Sequence, residues 1–266
     1  MNVDVIRQTE RPERLVCQTA RGDYFDGYVG NTEYADLMES VSWDEDDLDR
    51  IEGPKWMDAD IRSYKGGDSP LKEDTIMEAQ TLSFIEKQLS RGHYGPWEHP
   101  QITFAVEGVS RVTMAQITRH RHMTFDIQSM RYADFSEQEI VTPKSLTDPD
   151  HFSRETGMVD TDDNTRKTLR EEYDDIVEAQ RAYYHRMVEA GIPKEDARFI
   201  LPLGTTVNMT FSGNARTFMH VFNLRQKASS QWEIRELSDM LAEELKSWMP
   251  YSFNWYDDNK PHKIGP

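Results

Sequence analysis

The amino-acid sequence predicts an α+β fold, a mixed sheet flanked by long helices, within a single domain over residues 1–266. Three observations predict it. Apolar residues recur at helical spacing over several long stretches. Others alternate with polar neighbours, as in half-buried strands. The two kinds of segment are mixed without regular βαβ repetition, and neither GxGxxG nor GxxxxGK[ST] occurs, so no Rossmann or P-loop nucleotide site is indicated.

Taken in order, the segment Thr19–Ser69 is acidic, aromatic and broken by Gly and Pro; it is expected to be an acidic insertion, with Asp44-Glu45-Asp46-Asp47 in a solvated loop or helix start. Ile76, Leu82, Phe84, Ile85 and Leu89 mark an amphipathic helix over Glu73–Arg91, ended by Gly92. Ile102, Phe104 and Val106 alternate, which predicts a strand at Gln101–Glu107. A helix over Ser110–Arg119 follows, then a polar, irregular stretch through Phe135. Lys144–Asn164 is acidic and broken by Pro and Gly, a second expected insertion. Thr165–Ala190 reads as a long helix stopped by Gly191, and Pro193 opens a short one, where its missing N–H costs nothing. Leu203–Ser212 reads as a strand, and Asn214–Lys227 and Gln231–Met249 as helices that are nearly continuous.

The 266 residues are 37% hydrophobic and 11% aromatic, enough for a buried core. The 48 acidic residues against 31 basic ones leave a formal charge of -17. A field of that sign repels nucleic acid and anionic lipid, so neither is an expected partner. Few of the cations are lysines, and such acidity is tolerable where salt screens it, which suggests a halophilic host. Cys17 is the only cysteine, so the chain has no disulfide and no Cys-based zinc site of its own. With no apolar leader in MNVDVIRQTERPERLV and no stretch long enough to span a bilayer, a cytoplasmic location is expected.

Against that acidity, Arg119-His120-Arg121-His122 through Gln128-Ser129-Met130-Arg131 gathers three arginines and two histidines. Like charges this close repel unless anions lie among them. Either surface carboxylates or a bound phosphate would answer, and guanidinium forks suit the latter. A second cluster runs from Asn214-Ala215-Arg216 through His220 to Arg225 and Gln231-Trp232-Glu233. At ~100° per residue, Arg225 falls within ~40° of Phe218 and Val221, on an apolar face. A guanidinium there cannot lose its proton, so it must meet a buried carboxylate or a ligand. A third cluster is Gly92-His93-Tyr94-Gly95-Pro96-Trp97-Glu98-His99, and Arg198 follows Pro193 on a short helix. The histidine spacings match no metal motif, and neighbouring arginines oppose a cation, so no metal is expected. No GxSxG elbow supports a serine hydrolase.

Together these segments resemble the flavin-dependent thymidylate synthases. That family's RHR signature stands here as Arg119-His120-Arg121, Thr124, Asp126, Ser129 and Arg131, with Thr124 replacing Ser and Asp126 replacing Asn. His93-Tyr94-Gly95-Pro96-Trp97-Glu98-His99 looks like its HxxPFEH-type segment, and Asn214-Ala215-Arg216, Leu224-Arg225 and Gln231-Trp232-Glu233-Ile234 look like its C-terminal block. The resemblance covers roughly Ile76–Arg131 and Pro193–Trp255.

The resemblance implies reductive methylation of dUMP to dTMP, with 5,10-methylenetetrahydrofolate as carbon donor and NADPH as reductant through bound FAD. The alternative is a non-catalytic flavin- or nucleotide-binding protein on the same fold. It implies a homotetramer with sites shared between subunits. For FAD it implies His93, Gly95, Arg119, His120, Arg121, Ile127, Asn214, Ala215, Arg216 and His220. For dUMP it implies Gln116, Arg119, Gln128, Ser129, Met130, Arg131, Arg198 and Arg225. No covalent enzyme nucleophile is needed, which suits the position of Cys17 outside every cluster. Arg225 is the expected catalytic group, favouring a uracil enolate that raises electron density at C5.

Overall fold

Alternation and helical periodicity resolve, in the computed structural model, into the following elements; the structure describes residues 1–43, 73–153, 157–158 and 160–260. In chain order they are β1 (Asn2–Gln8), α1 (Pro12–Gly22), α2 (Tyr34–Met38), α3 (Glu73–Ser90), β2 (Gln101–Ser110), α4 (Arg111–Ile117), β3 (Thr124–Ile127), β4 (Phe152–Ser153), β5 (Gly157–Met158), α5 (Asp163–Glu189), α6 (Lys194–Ala197), β6 (Thr206–Asn214), α7 (Ala215–Arg225), α8 (Trp232–Trp248) and α9 (Pro250–Asn259). The chain divides into two compact units, one of residues 1–6, 103–212 and 224–240, the other of residues 7–102, 213–223 and 241–266.

The first unit carries most of a four-stranded sheet ordered β1-β2-β6-β3. A mixed sheet was expected, but the pairings are antiparallel. Thr124 faces Ser212 and Ile127 faces Met209. Between β2 and β6, Thr103 bonds Ser212 while Gly108 bonds Asn208, so the two strands also run in opposite directions. The connections that carry the chain between these strands return it antiparallel, which removes the need for βαβ crossovers. Alternation decides the faces: Phe104, Val106, Val207, Met209 and Phe211 are buried, while Glu107 and Asn208 are exposed. Phe211 is flanked by Phe104 and Phe125 at ring-centroid distances of 5.9 and 5.8 Å.

Asp162 caps α5, its side chain accepting from the backbone of Asn164 and Thr165. The helix is tied down from its side: Tyr173 donates to the Val141 carbonyl and Arg181 to that of Gln138. Gly204 passes so close to this segment that an added Cβ would lie 2.9 Å from the Val141 oxygen. Only glycine fits there. Lys144 opens the expected 144–164 insertion and is not free in solvent; it pairs with Glu236 and lies 4.8 Å from the Trp232 ring centroid.

The second unit is mainly helical. Val16, Cys17, Leu37, Met38, Ile85, Trp97, Phe218, Phe222 and Phe253 have at most 2% of their surface exposed. The early part of the Thr19–Ser69 segment therefore contributes to this core through Leu37 and Met38. Its acidic run, Asp44–Asp47, lies outside the described residues. Phe222 packs on Phe253 and Tyr256, with centroids 6.1 and 6.4 Å away. The start of α9 is fixed by two side chains. Glu13 accepts from the Ser252 N–H at 2.8 Å, and Trp97 Nε1 donates to Ser252 Oγ at 2.9 Å.

Candidate functional site

Every residue expected at the nucleotide lies in the first unit. Strand β2 ends at Ser110, whose hydroxyl caps α4 by accepting from the Thr113 N–H. The helix carries Gln116, and the turn after it carries Arg119, His120 and Arg121. Ser110 is itself held by the carboxylate of Glu233, with Oε1 accepting the backbone N–H at 2.7 Å and Oε2 the hydroxyl at 2.5 Å. Glu233 is 2% exposed. Gln231 caps the helix bearing it, its Oε1 accepting from the N–H groups of Glu233 and Ile234.

Arg225, the last residue of α7, reaches back to this turn. Its Nε donates to His120 Nε2 at 3.0 Å and its Nη2 to the Gln116 carbonyl at 3.1 Å. No carboxylate pairs with it among the described residues. Its proton affinity is held down first by burial and then by the positive charge of Arg119. Arg111 is in the same condition. Its Nη1 rests 3.0 Å from Met130 Sδ, a weak acceptor, and burial and then Arg198 lower its affinity for the proton. Two half-buried guanidinium groups, each facing another cation and neither answered by a carboxylate, form an anion-seeking surface.

Other expected residues frame it. Met130 is buried and 4% exposed. Ser129 Oγ accepts from the Arg131 N–H, while Arg131 pairs with Glu195 at 2.8 Å and lies over the Tyr132 ring. Arg198 Nε donates to the Glu195 carbonyl. Arg131 and Arg198, 67 positions apart in sequence, therefore share Glu195 as a common partner residue. Gln128 is tied to the β6 edge at Asn208 through both backbone and side chain, and Ile127 pairs with Met209. Arg119 and Arg121 are exposed, whereas His120 is 6% exposed.

The remaining residues expected at the flavin belong to the second unit. Asn214 Oδ1 accepts from the Thr217 N–H and so caps α7. Ala215 is buried in the first turn, and Arg216 beside it pairs with Glu98 at 2.5 Å. Tyr94 stands close enough to Arg216 to feel its charge. His93 is exposed in the turn after α3, His220 is half-buried on α7, and a Cβ at Gly95 would meet nothing within 4 Å. The first turn of α7 thus holds its N–H groups and the Arg216 guanidinium in partnerships within the chain, at the helix end that favours negative charge.

Sequence reasoning missed Arg111 and the structural importance of Glu233. Arg111 follows an N-cap serine at the end of a strand, a signal of position that says nothing of burial. Cys17 is fully buried, and burial pushes its thiol well above the usual range, so it is no thiolate nucleophile. Among the described residues no three His, Cys, Asp or Glu side chains are grouped to hold a metal, and no helix is long and apolar enough to cross a membrane.

Comparison with known proteins adds to this geometry. A family model described as thymidylate synthase complementing protein matches residues 4–251. A flavin-dependent thymidylate synthase of Halobacterium salinarum is 38% identical over 272 residues, 99% of this chain and 98% of its own. One from Haloarcula marismortui is 39% identical over 266 residues, covering 97% and 95%. Both come from halophilic archaea, in keeping with the acidic composition. The crystal structure of a UMP/dUMP methylase from Streptomyces cacaoi, bound with 5-Br dUMP, shares the fold at a TM-score of 0.69. That likeness covers 97% of this chain and 94% of that one, at 18% identity.

Proposed function

The chain belongs to the flavin-dependent thymidylate synthase family, and from that membership we propose that it methylates dUMP to dTMP, with 5,10-methylenetetrahydrofolate as carbon donor and NADPH as reductant through bound FAD. One observation supports this reading above the rest: Arg225 and Arg111 are half-buried cations facing other cations, with no carboxylate partner among the described residues.

Arg111 and Arg198 suit the nucleotide's phosphate, with Arg131, Ser129 and the flanking Gln128 and Met130 shaping its approach. Arg225, Gln116 and Arg119 suit the pyrimidine. A guanidinium donating to the developing C4 oxyanion favours the enolate, and electron density then rises at C5, where the new bond forms. Cys17 takes no part.

The residues present fit FAD. In the second unit, the N-terminus of α7 carries Asn214, Ala215 and the Arg216 guanidinium, where a diphosphate would take the place of the Glu98 carboxylate. His93, Gly95 and His220 belong to the same unit. When bound, FAD supplies the two-electron reduction that completes the methyl group. The protein's own part is to bind, orient and hold charge. We infer a homotetramer, as the family resemblance implies.

The test is direct. Purified protein should be yellow and, with oxygen excluded, should turn over NADPH only when dUMP and methylenetetrahydrofolate are both present, forming dTMP in equal amount. A colourless protein that forms no dTMP with added FAD would overturn the reading.

A further inference from the structure

His120 and Arg225 come from segments 105 positions apart and meet in a hydrogen bond of 3.0 Å. Arginine has no acceptor, so His120 Nε2 must offer its lone pair, and the ring is neutral with its proton on Nδ1. The imidazole is 6% exposed, and its backbone is fixed on both sides: its N–H donates to Ile117 and its carbonyl accepts from Met123. Gln116 holds a second point of the same guanidinium through its carbonyl. Two fixed points set the plane of a rigid fork, and one would let it swing. Among the described residues no hydrogen bond engages Arg225 Nη1.

The choice of acceptor matters. A carboxylate would orient Arg225 equally well but would neutralise it. An imidazole and a carbonyl orient it while leaving its whole charge for the substrate. We propose that His120 is a positioning residue for Arg225, a neutral acceptor that aims the guanidinium at the pyrimidine without quenching its charge. This rests on the reading of Arg225 as the group that acts on the pyrimidine. It gives His120 a task distinct from the flavin contact that the resemblance implies.

The experiment compares His120→Gln, which keeps an acceptor, with His120→Leu, which has none, in FAD-loaded protein. The readouts are kcat, the KM for dUMP, and the flavin content with its absorbance spectrum. His120→Leu is expected to lose about 100-fold in kcat, on the order of losing one oriented donor to a developing oxyanion. Its KM for dUMP and flavin content should stay within about threefold of the parent. His120→Gln should recover at least about tenfold of that loss. Equal kcat in the two variants, or loss of flavin from both, overturns the proposal. If His120→Leu does not fold, His120→Phe takes its place under the same criteria. Arg225→Ala separates the two levels. Full turnover in that variant removes the reading of Arg225 and the proposal with it. An inactive Arg225→Ala beside a fully active His120→Leu removes the proposal alone.

Discussion

Ser110 and Glu233, 123 positions apart, are joined by two hydrogen bonds of 2.7 and 2.5 Å inside the first unit, each residue no more than 2% exposed. The carboxylate thus fixes the end of β2 and the start of α4, and Arg111 is the next residue. Removing it leaves the Ser110 N–H buried without an acceptor. Glu233→Ala is expected to cost ~2–4 kcal/mol, a fall in Tm of roughly 5–15 °C for a chain of this size. Glu233→Gln can still accept the N–H through Oε1 and donate to the serine oxygen through its amide, so it should lose less than half as much. Differential scanning calorimetry of the three proteins decides it; equal losses in the two variants would show that charge, not hydrogen bonding, holds the node.

Arg225 should be dispensable for folding and indispensable for turnover. Arg225→Ala is expected to keep FAD and lose ~3–4 kcal/mol of transition-state stabilisation, a factor of roughly 10²–10³ in kcat. Arg225→Lys should not restore it. A single ammonium cannot engage His120 Nε2 and the Gln116 carbonyl while offering a third donor in the same plane. Steady-state kinetics of both variants, with flavin absorbance as the control, provide the check. Near-parental kcat in either would remove Arg225 from the chemistry.

Much of this architecture was legible in the chain. The expected helix over Glu73–Arg91 is observed at Glu73–Ser90, that over Thr165–Ala190 at Asp163–Glu189, and that over Gln231–Met249 at Trp232–Trp248. Apolar periodicity made these readable, with a terminal glycine after each of the first two. Strands were less so. Strand β1 alternates only weakly in burial, and β3, only four residues long, sits among polar residues that signal a loop. Helix α9 was missed because Pro250 reads as a terminator, yet it stands in the first turn, where proline is tolerated. At the site, the helical wheel turned Arg225 toward the apolar face, and the residue is half-buried. It could not name the partner, since a buried arginine demands an acceptor without specifying a carboxylate, a ligand or an imidazole. Arg111 carried no such sign, because the groups that act on it, the Met130 sulfur and the Arg198 charge, come from elsewhere in the sequence.

Burial, and then the positive charge of Arg198, lowers the proton affinity of Arg111, which pairs with no carboxylate among the described residues. Removing one of the two cations should relieve the protein even as it weakens substrate binding. Arg111→Met, which keeps the aliphatic packing, is expected to leave the Tm of the ligand-free protein unchanged or raised. Its affinity for dUMP should fall by ~10–100-fold, the loss of one charge-assisted hydrogen bond. Arg198→Ala should show the same weakening. Thermal shift with and without dUMP reads both effects, and an unaltered dUMP-induced shift in Arg111→Met would exclude it from the phosphate site.

Cys17 separates this chemistry from a thiolate route. The thiol is fully buried and held protonated by burial. Cys17→Ala should retain turnover within about twofold while costing ~1 kcal/mol for the vacated volume. Iodoacetamide should label the folded protein slowly and without loss of activity. Inactivation in step with labelling would restore cysteine to the mechanism.

Glu13 should make the stability of the second unit depend on pH. Burial is the largest influence on its carboxyl and raises it from the ordinary 4.5 to about 8, against the opposing hydrogen bond from Ser252. Below 4.5 both the folded and unfolded chains hold the proton. Between 4.5 and about 8 the unfolded chain has released it and the folded chain has not, so stability falls as pH rises through that window. The slope from this group alone is about 1.4 kcal/mol per pH unit. It levels off above pH 8, where both states are ionised. Glu13→Gln keeps an acceptor for the Ser252 N–H and has no proton to lose. The variant should match the parent in Tm near pH 5 and exceed it progressively up to pH 8, then hold a constant lead. Denaturation at pH 5, 6.5, 8 and 9 traces this difference, and a lead that is the same at every pH would show that Glu13 does not titrate in this range.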